Sequence, residues 1–475
     1  MFTKSRQTLV YNQDIIRIIK GYNAVKNRNQ YVYKKPAIKF SVGTLALGSL
    51  LAIAGCNNSL VDNQPIKQAA EKPIVSKTEN PSNPKTDKNY IAADDSASTP
   101  EGVRKVVDAN NQFAIELYQQ INKQAKQAEN NVFFSPYSLS TAMAMLYAAA
   151  EGETKQQIQK TFHYPVPAIL NPNSAALYNQ FNKPNPNYDL STVNDLWMRQ
   201  GLSPNQSYLD TVKRYYGGQV TNLDFASRPE SSRQTINKTI ANHTKQMIPE
   251  LLPEGSIKSS TAAVLTNAVY FKSEWAQPLG LRGSTQPFYN LNGTITDTNF
   301  MYSIENSNYT EDEQVQVVEL PYKGDDLSMI VVLPQSKGKS AMQALVNNLS
   351  ADQIAQWTHN MKIKAVDLQL PKFKMEQDYK MDELLAEMGM PIAFDSRADF
   401  SLFNNKLPLA VDSIIHKAVI EVDEKGTVAA AATSIGPVLV SANYDVEFNA
   451  NRPFIFMIKD NKTDAILFLG QVNKL

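Results

Sequence analysis

The order of apolar and polar positions predicts helices in the first part of the folded chain and strands in the second. Phe113, Leu117 and Ile121 recur at the spacing of one helix face, and the alanine-rich stretch "SLSTAMAMLYAAAEG" repeats that pattern. Six later runs are typical of strands: "AAVLTNAVYF", "VQVVELPY", "LSMIVVLP", "AVDLQLPKF", "HKAVIEV" and "AILFLGQV". Because these strands do not alternate regularly with helices, we predict an α+β fold with large, mostly antiparallel sheets.

A different pattern precedes this folded part. The stretch "KKPAIKFSVGTLALGSLLAIAGC" ends at Cys56 and runs from basic residues through an apolar segment into small residues, which is typical of a secretory signal. Its last four residues, "IAGC", resemble the bacterial lipoprotein box, in which the cysteine is acylated and becomes the mature N-terminus. The apolar segment is shorter than the roughly 20 residues that a spanning helix needs. We therefore expect an exported protein, lipid-anchored through Cys56 to the periplasmic or extracellular face of a bacterial cell envelope.

These patterns divide the chain into three parts. Residues 1–55 are an N-terminal extension and signal peptide. Residues 56–105 contain the lipidated cysteine and a stretch rich in Pro, Asn and Ser, which we expect to be a disordered tether because it cannot bury enough apolar surface to order itself. Residues 106–475 form the folded domain.

Composition and motifs argue against several classes of function. The formal net charge of +1 provides no field to attract nucleic acid, and a single cysteine excludes a disulfide framework. The chain lacks the Gly-x-Ser-x-Gly, His-Glu-x-x-His and phosphate-binding loop motifs of common enzyme classes. Its four histidines, one of which is His416 at the start of a predicted strand, are scattered along the sequence. We therefore predict a protein that is not an enzyme and has no metal or cofactor.

Six stretches point to a known family. They are "NVFFSPYSLSTAMAMLYAAAEGET", "LTNAVYFKSEW", "ELPYKGDDLSMIVVLP", "LPKFKMEQDYKMDELLAEMGM", "HKAVIEVDEKGTVAAAAT" and "FNANRPFIFMI". In order and spacing they resemble the signatures of the serpins, over essentially all of residues 106–475. The resemblance implies the serpin fold, which has a helix-rich N-terminal part, a large central sheet, smaller sheets and an exposed reactive centre loop, here about residues 424–447. We expect a monomer.

The resemblance also implies a mechanism for the segment of small, uncharged residues that follows Asp423. In serpins a target serine protease cleaves this loop, and the loop then inserts as a new strand into the central sheet and traps the protease as a covalent acyl-enzyme complex. Small uncharged residues fit this path, because burying an unpaired charge costs several kcal/mol and extra bulk about 1–3 kcal/mol. The positions that match the family's hinge are Glu424, Gly426, Thr427, Ala429, Ala430, Ala431 and Ala432.

The position of the cleaved bond has three alternatives. Counting the family's loop length from Glu424 gives Val440–Ser441, and counting back from Phe448 gives Ala442–Asn443. Either bond suits an elastase-like protease with a shallow pocket, whereas recognition of Leu439 would suit a chymotrypsin- or subtilisin-like one. No Lys or Arg occurs between Gly426 and Asn451, so a trypsin-like target is not expected.

Five further positions match the polar cluster beneath the opening sheet and the tryptophan below the point of first insertion. They are Ser135, Ser138, Asn267, His416 and Trp275. The sequence departs from the family at Val428, where glutamate is usual, at Ser273, where glycine is usual, and at Pro437, which lacks the amide hydrogen of an interior strand. Two alternatives therefore stay open: a non-inhibitory, serpin-fold binding lipoprotein of the cell envelope, and an enzyme with an unrecognised site.

Overall fold

The computed structural model describes residues 90–124, 129–403, 410–427 and 443–475. Within these ranges the chain forms nine α-helices and a short 3-10 helix, Pro391–Phe394. The helices are α1 (Pro100–Lys123), α2 (Pro136–Ala149), α3 (Gly152–Thr161), α4 (Pro167–Asn182), α5 (Gln206–Tyr215), α6 (Pro229–His243), α7 (Lys339–Asn348), α8 (Ala351–His359) and α9 (Met381–Glu387). None of these described helices is both long and apolar enough to cross a membrane.

The strands of the described ranges form three sheets. They are β1 (Val132–Phe134), β2 (Tyr188–Arg199), β3 (Gln219–Leu223), β4 (Ala263–Glu274), β5 (Gly280–Leu281), β6 (Gln286–Tyr289), β7 (Ile295–Thr298), β8 (Phe300–Glu311), β9 (Val315–Pro321), β10 (Leu327–Pro334), β11 (Lys362–Pro371), β12 (Phe373–Lys380), β13 (Ser413–Asp423), β14 (Gly426–Thr427), β15 (Val446–Asn449), β16 (Phe454–Asp460) and β17 (Ile466–Val472). The prediction of an α+β fold is confirmed.

Strand order distinguishes the sheets. The nine-stranded sheet runs β1-β17-β16-β10-β9-β8-β11-β15, with β5 paired to β8, and β6 and β7 form a separate hairpin. The six-stranded sheet runs β12-β13-β14-β4-β2-β3. This second sheet is mixed, because β13 pairs with β4 in parallel and β2 pairs with β3 in parallel, whereas its other pairs are antiparallel.

The folded part begins earlier than residue 106, the boundary that composition suggested. Helix α1 starts at Pro100, and the Thr99 side chain caps it by accepting a hydrogen bond from the amide of Gly102. Upstream, Tyr90 donates to the side chain of Asn179, and the amide of Ala93 donates to the same oxygen. A polar segment can therefore be held by caps and hydrogen bonds to its neighbours, which an argument from apolar content does not detect.

Two clusters of buried apolar side chains lie on opposite faces of the six-stranded sheet. Alternate residues of a strand point to opposite faces. Along β4, Leu265 belongs to the larger cluster with Leu139 of α2, whereas Val264 belongs to the smaller cluster with Ile236 and Ile240 of α6. Helix α2 therefore covers one face of the sheet centre, and α6 covers the other.

Candidate functional site

The centre of the six-stranded sheet contains a parallel strand pair that is open at one end. We call the six residue pairs from Ser413 beside Val264 to Ala418 beside Val269 the seam. Beyond the seam, β14 lies between the two strands and pairs antiparallel with both. Gly426 faces Glu274 and Asp423, and Thr427 faces Ser273 and Val422. The first residues of the predicted hinge therefore already occupy the space between β4 and β13.

A buried polar cluster lies within the seam, on the face covered by α2. Asn267 is its centre, since its amide nitrogen donates to Ser138 Oγ at 2.6 Å and to the Ser138 carbonyl at 2.9 Å. The same nitrogen is 2.5 Å from Asn194 Oδ1 on β2. Sequence reasoning did not identify Asn194, although the register of β2 against β4 places it directly beside Asn267.

The imidazole of His416 connects this cluster to the start of α2. Its Nε2 accepts a hydrogen bond from the amide of Ser135 at 3.1 Å, so the proton of the neutral ring must be on Nδ1, which donates to Asn267 Oδ1 at 2.5 Å. Complete burial lowers the pKa of His416 to about 3, and the ring is therefore neutral at ordinary pH. Ser135 also caps α2, because its Oγ accepts from the amide of Ser138 at 3.2 Å.

A second group of contacts holds the open end of the seam. Trp275 Nε1 donates to the carbonyl of Asp423 at 2.9 Å, and the Trp275 amide donates to the carbonyl of Lys425 at 2.8 Å. The indole stacks on the ring of Tyr322, whose centroid is 4.6 Å away at an interplanar angle of 13°. The hydroxyl of Tyr322 is 2.7 Å from Thr427 Oγ1. Sequence reasoning did not identify Tyr322 either, although it lies in the stretch "ELPYKG" of a serpin-like motif.

The turn from β13 into β14 requires glycine and a carboxylate. Gly426 has φ +153°, and a Cβ atom at this position would lie 2.1 Å from the carbonyl oxygen of Ser273. Asp423 Oδ1 accepts hydrogen bonds from the amides of Lys425 and Gly426. The next carboxylate, Glu424, pairs with Lys372 at 2.7 Å. Burial is the largest single influence and would raise the pKa of Glu424, but the hydrogen bond and charge of Lys372, a backbone hydrogen bond and the charge of Lys425 together lower it.

The structure separates the expected site residues into two groups and leaves others outside its description. Ser135, Ser138, Asn267 and His416 meet in the seam, whereas Glu424, Gly426, Thr427 and Trp275 meet at its open end. Cys56, Ala429, Ala430, Ala431, Ala432, Leu439, Val440, Ser441 and Ala442 lie outside the described residues.

The chain is described again from Asn443, which is exposed. Just beyond it, the amide of Asp445 donates to the carbonyl of Ala365 at 2.8 Å, and its carboxylate accepts from the Ala365 amide at 3.0 Å. The C-terminal side of the loop is therefore fixed to β11. In the part of the chain that the structure describes, no group of three or more His, Cys, Asp or Glu residues could hold a metal ion.

Comparison with known proteins places this arrangement in a family. Residues 108–475 match the family model described as serpin (serine protease inhibitor). An uncharacterized serpin-like protein of Methanosarcina mazei is 36% identical over 395 residues, which cover 81% of this chain and 92% of that protein. The leukocyte elastase inhibitor of Xenopus laevis is 38% identical over 366 residues, covering 76% of this chain and 96% of the relative.

A solved structure agrees with these matches. The native state of tengpin, a thermophilic serpin, is 29% identical and superimposes with a TM-score of 0.69, covering 78% of this chain and 94% of that one. Fold and site together define a protein of the class that is typically a protease inhibitor and not an enzyme. The chain belongs to the serpin family.

Proposed function

We propose that this protein inhibits serine proteases as a suicide substrate, by inserting its cleaved loop into the seam. The observation that carries the proposal is β14, because Gly426 and Thr427 already pair with both strands that border the seam. Cleavage beyond these residues would free the loop to continue the same pairing. The protease, still attached to the loop as the acyl-enzyme, would move with the inserting strand before water could hydrolyse the acyl bond.

The two registers of β14 agree on where the rest of the loop would go. In an antiparallel pair, each step forward along one strand is a step back along its partner. Six residues beyond Thr427, Thr433 would face Asn267 when counted from Ser273 on β4. The same count from Val422 on β13 brings Thr433 opposite His416. These two residues are already neighbours in the seam, so both registers lead to one consistent strand.

The loop residues that would insert between β4 and β13 are small enough for the packed face that they would meet. Two and four residues beyond Thr427, Ala429 and Ala431 would lie beside Phe271 and Val269, which are buried in the larger apolar cluster. Larger side chains there would have to displace packed atoms, at about 1–3 kcal/mol each. Alanine adds only a methyl group at each of these two positions, which keeps this cost small.

Continuing the register also explains how Pro437 can be tolerated. Four residues beyond Thr433, Pro437 would lie opposite Ala263, the first residue of β4, and Asp412, which precedes β13. At that point the amides of Ala262 and Ala263 donate to the carboxylate of Asp412. The missing amide hydrogen of proline would thus fall at the end of the sheet, where it costs no interior hydrogen bond.

Insertion would be strongly favourable. It replaces the six parallel pairs of the seam with two antiparallel neighbours along a β4 strand of 12 residues. At roughly 1 kcal/mol net for each added hydrogen bond, the gain is on the order of 10 kcal/mol. The uncleaved form would then be held by a kinetic barrier.

The proposal extends to the target and to the location. The bond Val440–Ser441 or Ala442–Asn443 suits an elastase-like protease, and the leukocyte elastase inhibitor among the relatives is in line with such a target. A lipid on Cys56 would anchor the inhibitor to the outer surface of a cell envelope or within the periplasm, as the signal pattern before Cys56 suggests. The protein would act there as a monomer.

A matched pair of variants tests the inhibitory mechanism. Thr427 is fully buried against Tyr322, so Thr427→Glu would place a carboxylate in the core at the first step of insertion. Val428→Glu adds the same charge one residue further, where an extended strand points to the opposite face and where the family usually has glutamate. The bait residues are identical in both variants.

The readout is the complex with pancreatic elastase, chymotrypsin or subtilisin that survives denaturing gel electrophoresis. The parent and Val428→Glu should trap at least one of the proteases near one-to-one stoichiometry. Thr427→Glu should be cut at the same bond and form little complex. If the parent traps none of the three, or if Thr427→Glu traps as well as Val428→Glu, the proposed mechanism is wrong.

A further inference from the structure

An isolated carboxylate lies beneath α6, on the face of the sheet opposite the polar cluster. Asp195 is on β2, directly beside Thr266 of β4, which in turn is beside Ile415 of β13. Asn194, the preceding residue, points to the polar cluster, so Asp195 points to the other face. Its neighbours by alternation, Val193 and Trp197, belong to the apolar cluster under α6.

The carboxyl group of Asp195 is almost completely buried and has no ionic partner. Asp195 is 5% exposed, and no hydrogen bond or ion pair from the described residues reaches its side chain. Burial alone raises the pKa of Asp195 to about 7, and no neighbouring charge contributes. The carboxyl group, flanked by Val193 and Trp197 of the apolar cluster, is therefore neutral in acid and becomes ionised near neutral pH.

Helix α6 covers the seam from this side. Its side chains Ile236 and Ile240 share one apolar cluster with Val264 of β4 and Ile415 of β13. Any strand that enters between β4 and β13 must separate two strands to which α6 is packed. Loosening of α6 therefore controls access to the seam.

We infer that Asp195 makes this cover sensitive to pH, holding α6 closed over the seam in acid and allowing it to open near neutral pH. The biological role of this pH sensitivity rests on the proposed function, but the opening of α6 can be measured without any protease. In the open state the carboxylate meets water and titrates normally. Opening should therefore become about tenfold more frequent for each pH unit between about 4 and 7, and level off above.

Other charged groups lie on the elements that pack on this face. They are Glu230, Arg233, Lys238 and His243 on α6, Lys245, Glu250 and Glu254 after it, Asp189 and Arg199 on β2, Lys272 and Glu274 on β4, and Lys417, Glu421 and Asp423 on β13. Of these, His243 acts in the opposite direction, because burial lowers its pKa and its protonation in acid favours opening. A rise in opening with pH therefore cannot come from His243. Burial raises the pKa of Asp423 at the end of β13, which acts in the same direction as Asp195, and the Asp195→Asn variant separates the two because it leaves Asp423 in place.

Hydrogen exchange of the α6 amides tests the inference. Rates are measured between pH 5 and 7.5 and corrected for the intrinsic pH dependence of exchange. For the parent we expect opening to increase by about 50-fold from pH 5 to pH 7, because the carboxyl group is already half ionised in the closed state at pH 7. Asp195→Asn, which keeps the shape and removes the charge, should abolish this rise and keep α6 as protected at pH 7.5 as the parent is at pH 5.

Two controls define the outcome. Asp210→Asn, an exposed aspartate on α5, should behave like the parent. Asp195→Leu should show the same loss of pH dependence as Asp195→Asn. Because leucine cannot form hydrogen bonds, it excludes an effect of new hydrogen bonds made by the introduced asparagine. A parent whose α6 protection does not change with pH, or an Asp195→Asn variant that keeps the parent's slope, would overturn the inference. Neither result bears on whether the parent traps proteases.

Discussion

Truncation of Asn267 to alanine should destabilise the uncleaved protein much more than the cleaved one. In the structure the Asn267 side chain is completely buried and joins four groups: the Ser138 carbonyl and hydroxyl, Asn194 and His416. Removing it leaves the Nδ1–H of His416 and the oxygen of Asn194 buried without these partners. Each such group costs about 1–3 kcal/mol, so we expect a total loss of about 3–5 kcal/mol.

The cleaved form provides the comparison. After insertion Thr433 would lie between Asn267 and His416, and its hydroxyl could satisfy the imidazole in place of the asparagine. The loss on Asn267→Ala should therefore be smaller by at least about 1 kcal/mol in protein whose loop has been cut. Urea unfolding followed by circular dichroism, on cut and uncut samples, measures both values.

Asn306→Ala serves as the control, because Asn306 is an exposed residue of β8 and its loss should change stability by no more than about 0.5 kcal/mol. An Asn267→Ala variant that loses less than about 1 kcal/mol would show that the polar cluster does not hold the seam closed. Equal losses in cut and uncut protein would show that Thr433 does not reach it.

Three further predictions follow from the same contacts and from the sequence. A single cut near Val440 should raise the thermal unfolding temperature sharply, and an unchanged melting profile would mean that the loop does not insert. Cys56→Ala should release the protein from membranes or leave it unprocessed; a variant that fractionates and migrates like the parent would disprove lipid anchoring. Because the pKa of His416 falls from 6.5 to about 3 on folding, the neutral ring stabilises the protein fully above pH 6.5, and about 1.4 kcal/mol is lost for each pH unit below it. Between pH 7 and pH 5, the free energy of unfolding measured by urea titration should fall less for His416→Gln than for the parent. Asp195 acts in the opposite direction, but equally in both proteins. Equal falls in the two proteins would contradict the burial of a neutral imidazole.

Much of the fold could be predicted because local pattern and tertiary structure agree. The runs around Leu265, Val331 and Ile420 are strands in the structure, and the alanine-rich stretch after Ser135 is α2. The start of α1 could not be predicted from apolar content, since Thr99 and Pro100 specify it through a cap and a fixed φ angle.

The site was predicted through motif resemblance more than through physical pattern. Ser138, Asn267 and His416 are far apart in the sequence. The register of β4 against β13 and the packing of α2 on the sheet bring them together. Asn194 contributes to the same cluster and Tyr322 to the open end of the seam, but a single asparagine or tyrosine at a buried position has no distinct signal in one sequence. Asp195 was missed for the same reason, because an aspartate in a strand is normally read as solvent-facing.

The central claim is that the cleaved loop continues β14 along both of its present registers. A crystal structure of the protein cut within residues 439–443 tests it most directly. We predict that β4 and β13 will be separated by a new strand, with Thr433 between Asn267 and His416 and with Pro437 beside Ala263 at the end of the sheet. A cleaved structure in which His416 still pairs directly with Asn267 across the closed seam would contradict the account.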